Sequence, residues 1–295
     1  MPNAKLTDQL HLHFIVFIWG FTAILGKLIT ITALPLVWYR MGIATALIGL
    51  YLLFKGIGPK VTKRDFGLLI VGGVALAVHW VTFFMAIKTA TVAVALTVMA
   101  SGAFFTALIE PLWNKGKIIG YELLFGMAVL FGLAVIFGLE PQYVTGMLLA
   151  LLSAFLAAVF SVINGRLVKT ARPSVITFYE LLIGVTLLSL YLGVTNGFSK
   201  AFFDLPANDW SYIAILASIC TAYAFIASVR VMRNLSAYTV MLTINLEPVY
   251  GIVLAYFILS DSERMSAPFY IGAGVIVLTV IANGWIKNRA RLKRR

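Results

Sequence analysis

Ten apolar runs, each close to the roughly 20 residues needed to cross a hydrocarbon core about 30 Å thick, follow one another with only short connectors between them. They fall at 11–31, 34–54, 66–87, 92–113, 118–138, 145–165, 175–195, 211–230, 237–259 and 268–287. This succession leaves no stretch to house a water-soluble domain and predicts an all-α integral membrane fold of ten transmembrane helices. Composition agrees, since 61% of the 295 residues are hydrophobic and 12% charged, against about 25% charged in an ordinary soluble domain. Most connectors carry a turn signal, such as Lys55-Gly-Ile-Gly-Pro59, Glu140-Pro141 or Asn196-Gly197.

The net charge of +12 invites a nucleic-acid reading, but the basic residues sit in short connectors and a tail, which is how the cytoplasmic loops of membrane proteins are marked. With the N-terminus cytoplasmic, all but five of the 23 Lys and Arg fall on the inner side; the outer connectors hold only Lys88, Lys200 and Arg264, and Lys27 and Arg40 lie within spans. Both termini are therefore expected in the cytoplasm and the chain in the inner membrane, its basic tail acting as a stop-transfer anchor against membrane lipids. Cys220 is the one cysteine, so neither an intrachain disulfide nor a Cys-rich metal site can form. The first run is already of spanning length with no small-residue cleavage site after it, so no cleavable signal peptide is expected.

The run from Ala237 to Leu259 carries Glu247 and Pro248 near its middle. A carboxylate at that depth is costly, and a proline there leaves the carbonyl four residues earlier without its helical partner. Sliding back 146 positions sets Leu242-Thr243 on Leu96-Thr97, Glu247 on Ser101, Pro248 on Gly102 and Gly272 on Gly126. The first helices of the two halves also match, Phe21, Ile24, Gly26 and Lys27 falling on Phe160, Ile163, Gly165 and Arg166, and so do the second, Tyr39-Arg40 on Tyr179-Glu180. These matches divide the chain into two five-helix repeats, 1–140 and 141–295. Because five is odd, the repeats must enter the membrane in opposite senses, an inverted arrangement that lets one scaffold open to either side.

On these residues the sequence resembles the drug/metabolite transporter (DMT) superfamily, in its ten-helix branch built from two EamA domains. The resemblance lies in Ile18-Trp-Gly-Phe21 with Lys27, in Pro35 followed by Arg40, in the Gly126 region, in Glu247-Pro248, and in Ser262-Glu-Arg-Met-Ser266 before Ile271-Gly272. The first half departs from the pattern, with Gly102 in place of the proline and Asn114-Lys-Gly-Lys117 in place of the loop glutamate. What the resemblance implies is a small-molecule carrier, often an exporter of amino acids or related metabolites, with no cofactor.

Candidate site residues follow from polarity placed inside the spans. Thr239, Thr243 and Glu247 are spaced by four and share a helix face; Thr97 and Ser101 repeat that stripe in the first half, so all are expected to line one central substrate cavity. Glu247 is also the candidate for proton coupling. His79 and Trp80 are expected to bind substrate or stack on it, with the Tyr223–Phe225 region as their counterpart in the other half. Arg40 and Lys27 make the outer half electropositive and favour a carboxylate; Asn164, Ser161 and Thr22 are further polar cavity candidates. Pro248 and Gly102 are the expected bending points. Glu180 matches Arg40 across the repeat, but their backbones should differ in depth by around 12 Å, so the two are expected to act as separate elements near opposite ends of the path. Trp19, Trp38, Trp113, Trp210 and Trp285 are read as interfacial anchors, and Glu110 as a cap or a partner of loop lysines.

Enzyme signatures are missing. His11, His13 and His79 form no HExxH, no phosphate loop is present, and Ala100-Ser101-Gly102 has Met99 where an intramembrane serine protease needs glycine. No catalytic or metal-ligating residue is therefore assigned. A transporter working by alternating access is the leading reading; an intramembrane enzyme and a non-transporting receptor or scaffold are the alternatives.

Overall fold

The computed structural model describes residues 2–116, 120–139 and 141–259, with four single positions (271, 274, 278 and 282) beyond them. Apart from those four positions the expected tenth span lies outside the described residues, as do the loop from Ser262 to Ser266, Gly272 and the basic tail. Among the described residues every regular element is helical, and eight helical stretches are long and apolar enough to cross a membrane. The protein is an all-α, multi-pass membrane protein.

In chain order, α1 (Pro2–Leu28), α2 (Ala33–Phe54) and α3 (Lys63–Thr89) are continuous. The fourth span is split into α4 (Val92–Met99) and α5 (Gly102–Trp113), and α6 (Gly120–Leu139) occupies the place of the fifth. A 3₁₀ turn (Pro141–Tyr143) leads into α7 (Val144–Leu167), followed by α8 (Pro173–Val194) and the short α9 (Lys200–Phe203). The eighth span consists of α10 (Ala207–Ala217), a π-helical turn (Ser218–Tyr223) and α11 (Ala224–Val231). The ninth is split into α12 (Ala237–Ile244) and α13 (Glu247–Ile258).

Three of these spans are thus interrupted in mid-membrane, each with a local cause. Pro248 sits in the first turn of α13, where its missing N–H costs nothing but forbids continuation from α12. The chain crosses the gap with tightened i→i−3 bonding, Leu246 N–H to the Thr243 carbonyl at 3.0 Å. The α4–α5 break has no proline. There the Ser101 hydroxyl donates to the Val98 carbonyl at 2.8 Å, in competition with the backbone, and Ser101 N–H closes a 3.0 Å bond to the same carbonyl. The breaks fall at Ala100-Ser101 and Asn245-Leu246, immediately before Gly102 and immediately before Glu247-Pro248. In the eighth span the Thr221 hydroxyl donates to the Leu216 carbonyl five residues back at 2.7 Å, which fits the wider turn.

Lipid tails are as apolar as leucine, so helix association here rests on close packing and hydrogen bonds. The α3–α7 and α3–α8 contacts are among the most extensive. At Gly73 a Cβ would lie 2.8 Å from the Glu180 carbonyl oxygen and 2.9 Å from Ile183 Cβ, so only glycine lets α3 and α8 approach this far. Gly20 does the same for α1 against α13, where a Cβ would meet Tyr250 Cβ at 2.9 Å. Glu110 of α5 accepts from the Tyr238 backbone N–H at 2.8 Å, capping the first turn of α12.

The turn between α1 and α2 is clasped from the other half of the chain. Buried Asp209, near the start of α10, accepts from Thr30 N–H at 3.0 Å, from the Thr30 hydroxyl at 2.8 Å and from Ile31 N–H at 3.4 Å. Lys88 donates to the neighbouring Ile29 carbonyl at 2.7 Å. Asp209→Ala leaves these donors without an acceptor and should lower thermal stability in detergent by the equivalent of about 3 kcal/mol; an unchanged melting midpoint would show that the clasp contributes nothing.

Candidate functional site

The interrupted spans meet around a cavity walled by α1, α2, α3, α7, α11 and α12, with Met99 and Glu247 contributed at the two breaks. Its empty space, open mouth included, is about 720 Å³. The walls are largely aromatic. Trp80 and Phe225 meet edge to face at 6.0 Å between centroids, Phe225 and Phe160 at 5.9 Å, and His79 lies 5.3 Å from Phe160.

Arg40 enters from α2 and is buried. Its Nε donates to the Thr221 hydroxyl at 2.6 Å, and its guanidinium carbon stands 3.9 Å from the centre of the Trp80 ring, a cation–π contact. The π turn builds this support. It turns Thr221 toward Arg40 and leaves the Cys220 carbonyl free to accept from Trp19 Nε1 at 3.1 Å. Arg40 Nη1 is buried with no hydrogen-bond partner. Glu247 lines the same cavity, and the two opposite charges act on each other across it.

His79 is held by α7. Its Nδ1 lies 2.9 Å from the Ser153 carbonyl, which can only accept, and 2.7 Å from Ser153 Oγ, so a proton on Nδ1 serves both oxygens and leaves the hydroxyl hydrogen for the His79 carbonyl. Ser153 Oγ donates in return to the His79 carbonyl at 2.9 Å. With Nδ1 committed, Nε2 is the ring nitrogen left to serve the cavity as an acceptor. Asn164 also lines the cavity, and its Nδ2 donates to Glu180 Oε2 at 3.1 Å. Glu180 itself is fully buried behind Asn164 and outside the cavity lining. Arg40 and Glu180 thus have separate partners.

Of the residues singled out by sequence, the structure brings Glu247, Arg40, His79, Trp80 and Asn164 to this cavity, with Thr22 and Ser161. Thr97, Ser101 and Thr243 are not in its lining. Thr97 is buried with its hydroxyl unpartnered, Ser101 turns to the Val98 carbonyl and Thr243 to the Thr239 carbonyl at 2.9 Å. Thr243 falls to the side of the face that meets the cavity, since Glu247 lines it together with residues three and seven positions earlier. On α12 the cavity is met by Val240, Met241 and Ile244 instead. Tyr223 is 45% exposed and its hydroxyl meets His11 Nε2 at 2.9 Å; Phe225 is the residue of that region in the wall, the π turn having shifted which side chains face inward. Lys27, in the last turn of α1, is not in the lining either. Trp19, read as an interfacial anchor, is a wall residue. Its pairing with a π-turn carbonyl had no signature in the sequence.

The model of the EamA-like transporter family matches residues 10–138 and 144–285. An uncharacterized transporter of Archaeoglobus fulgidus is 21% identical over 282 residues, covering 93% of this chain and 95% of that one. A protein of known crystal structure superposes with a TM-score of 0.69 at 19% identity, over 94% of this chain and 96% of the other, which establishes the shared fold.

Selective ¹⁵N-histidine NMR on the purified protein should find His79 protonated at Nδ1. Ser153→Ala should keep that tautomer, because the carbonyl remains, while costing about 1 kcal/mol of stability for the lost hydroxyl bond. A proton on Nε2 alone would overturn the assignment.

Proposed function

The chain belongs to the EamA-like transporter family, and from that premise we propose that it exports amino acids or related zwitterionic metabolites across the inner membrane by alternating access. The observation that carries the substrate class is the pairing of opposite charges in one aromatic-walled cavity. Arg40 presents an unpartnered guanidinium nitrogen and Glu247 a carboxylate. A buried guanidinium with open donor capacity is costly unless an anion meets it, and a substrate carboxylate supplies that anion with two-point geometry. Glu247 then faces the substrate ammonium, and Trp19, Trp80, Phe83 and Phe225 accept an apolar side chain.

The same arrangement supports proton coupling. Glu247 has either a proton or an ammonium to neutralise it, so the two compete for one carboxylate and exchange across the membrane becomes stoichiometric. Alternating access is supported by the two split spans, α4–α5 and α12–α13, whose breaks at Ala100-Ser101 and Asn245-Leu246 stand at nearly matching places in the expected repeats 1–140 and 141–295. Gly102 and Pro248, beside those breaks, serve as the hinges, and both termini lie in the cytoplasm.

The test is efflux from preloaded liposomes, screened over amino acids, nucleosides and aromatic metabolites with and without a proton gradient. Zwitterions with a bulky apolar group should exit fastest, whereas a protein that moves none of these compounds would overturn the substrate reading. Glu247→Gln should abolish flux or its pH dependence while the protein stays folded, and unchanged flux at every pH removes Glu247 from the mechanism. Arg40→Ala should slow carboxylate-bearing substrates about 10–100-fold, in line with a lost charged hydrogen bond of about 1.5–3 kcal/mol, and neutral ones far less. Equal loss for all would make Arg40 structural. Reporter fusions should place both chain ends on the cytoplasmic face.

A further inference from the structure

A second polar cluster lies outside the cavity, between α3, α7 and α8. Glu180 is fully buried. One of its oxygens accepts from Asn164 Nδ2 at 3.1 Å; the other, Oε1, packs against Gly72 with no hydrogen-bond partner. Asn164 Oδ1 is also buried without a partner, and so is the hydroxyl of Thr177, one turn earlier on the same face of α8. Three orphan oxygens in one neighbourhood are rare, because buried acceptors are nearly always satisfied. The cluster has more acceptors than donors. Of the titratable groups buried in the helices packed on α8, Arg40 of α2 is engaged by Thr221 and Trp80, and His79 of α3 by Ser153. Among the described residues Asn164 is the side chain that hydrogen-bonds Glu180; α3 meets it with Gly72 and Gly73.

We propose that the Glu180 carboxyl is a proton-binding site separate from the central cavity and coupled to it through Asn164. A carboxylate charge with no cation beside it is expensive to bury, and a proton removes the charge while adding the donor the cluster lacks. A metal cation would ask for a shell of several oxygens, more than the three unclaimed ones that two helices offer here. Asn164 is the positioning residue. One amide group stands on the cavity wall and on the carboxyl at once, so a change on either side re-aims it. Glu180 lies two turns from the connector carrying Lys169 and Arg172, and it rests on the glycine pair of α3 two turns before His79. A neutral carboxyl lets α3 and α8 stay in contact, and ionisation requires water to enter between them. The site therefore ties proton release to separation of these helices at that end of the membrane. This role does not depend on the substrate class proposed above.

The experiment is infrared difference spectroscopy of the carboxyl C=O stretch during a pH titration of the full-length protein in liposomes, with no substrate added. Wild type should show a band that titrates and is lost in Glu180→Gln but kept in Glu247→Gln. Asn164→Ala should move the midpoint of that band by about one pH unit or more, one unit corresponding to about 1.4 kcal/mol of differential interaction, and the curve should be the same in sodium and in choline salts. The proposal is overturned if Glu180→Gln removes no titrating band, if Asn164→Ala leaves its midpoint in place, or if sodium displaces the proton. Glu180→Gln is close to isosteric; should it fail to fold, Asn164→Ala, which keeps the carboxyl, decides the question alone. Loss of liposome efflux with this titration intact would count against the substrate reading and leave the proton site standing.

Discussion

In hydrocarbon no water takes up a backbone group that a helix leaves unpaired, so a membrane helix can be interrupted only where protein or a polar cavity shields the break. Among the described residues three spans are interrupted, and all three interruptions adjoin one cavity. The π turn, the α4–α5 break and the α12–α13 break are therefore not defects scattered through a bundle. They place free carbonyls and turned side chains where the site needs them, as when the Cys220 carbonyl receives Trp19 and Thr221 receives Arg40. The order of causes runs from a hydroxyl or a proline in the sequence, to a tightened or widened turn, to the direction in which a neighbouring side chain points.

The electrostatics of the site follow from the same shielding. A guanidinium with Thr221 on one nitrogen, an indole beneath it and an open donor elsewhere has been stripped of water without being fully paired. Glu247 lines the same cavity, so both signs of charge are placed on one wall-enclosed space. His79 belongs to a different part of the balance. Its proton on Nδ1 is spent on Ser153, so it acts on the cavity as an acceptor and as a rigid aromatic edge beside Phe160.

Much of the membrane fold was legible because span length is a crude signal that survives packing. Glu247, Arg40, His79, Trp80 and Asn164 were legible for a related reason: a polar group deep in an apolar span must face something other than lipid. What misled was which edge of the face to follow: Val240, Ile244 and Glu247 keep the i, i+4, i+7 spacing and line the cavity, and Thr243 falls beside them. Of the Tyr223–Phe225 region only Phe225 reaches the wall, Tyr223 being the last residue of the π turn, and nothing in Ser218–Tyr223 announces such a turn. Trp19 was grouped with tryptophans near span ends although it lies inside the run 11–31, and its partner is a carbonyl whose availability only the three-dimensional turn creates.

The Asp209 clasp bears on how the chain is made. The amides it receives, at Thr30 and Ile31, lie 179 and 178 residues earlier, so the first hairpin leaves the ribosome long before its acceptor is synthesised. Until then those amides must stay at the headgroup level, served by water. The first five spans are consequently an assembly intermediate with an unfinished rim, and the nascent second half completes it. Two fragments severed near the Pro141 connector and produced together in one cell therefore have a built-in reason to find each other.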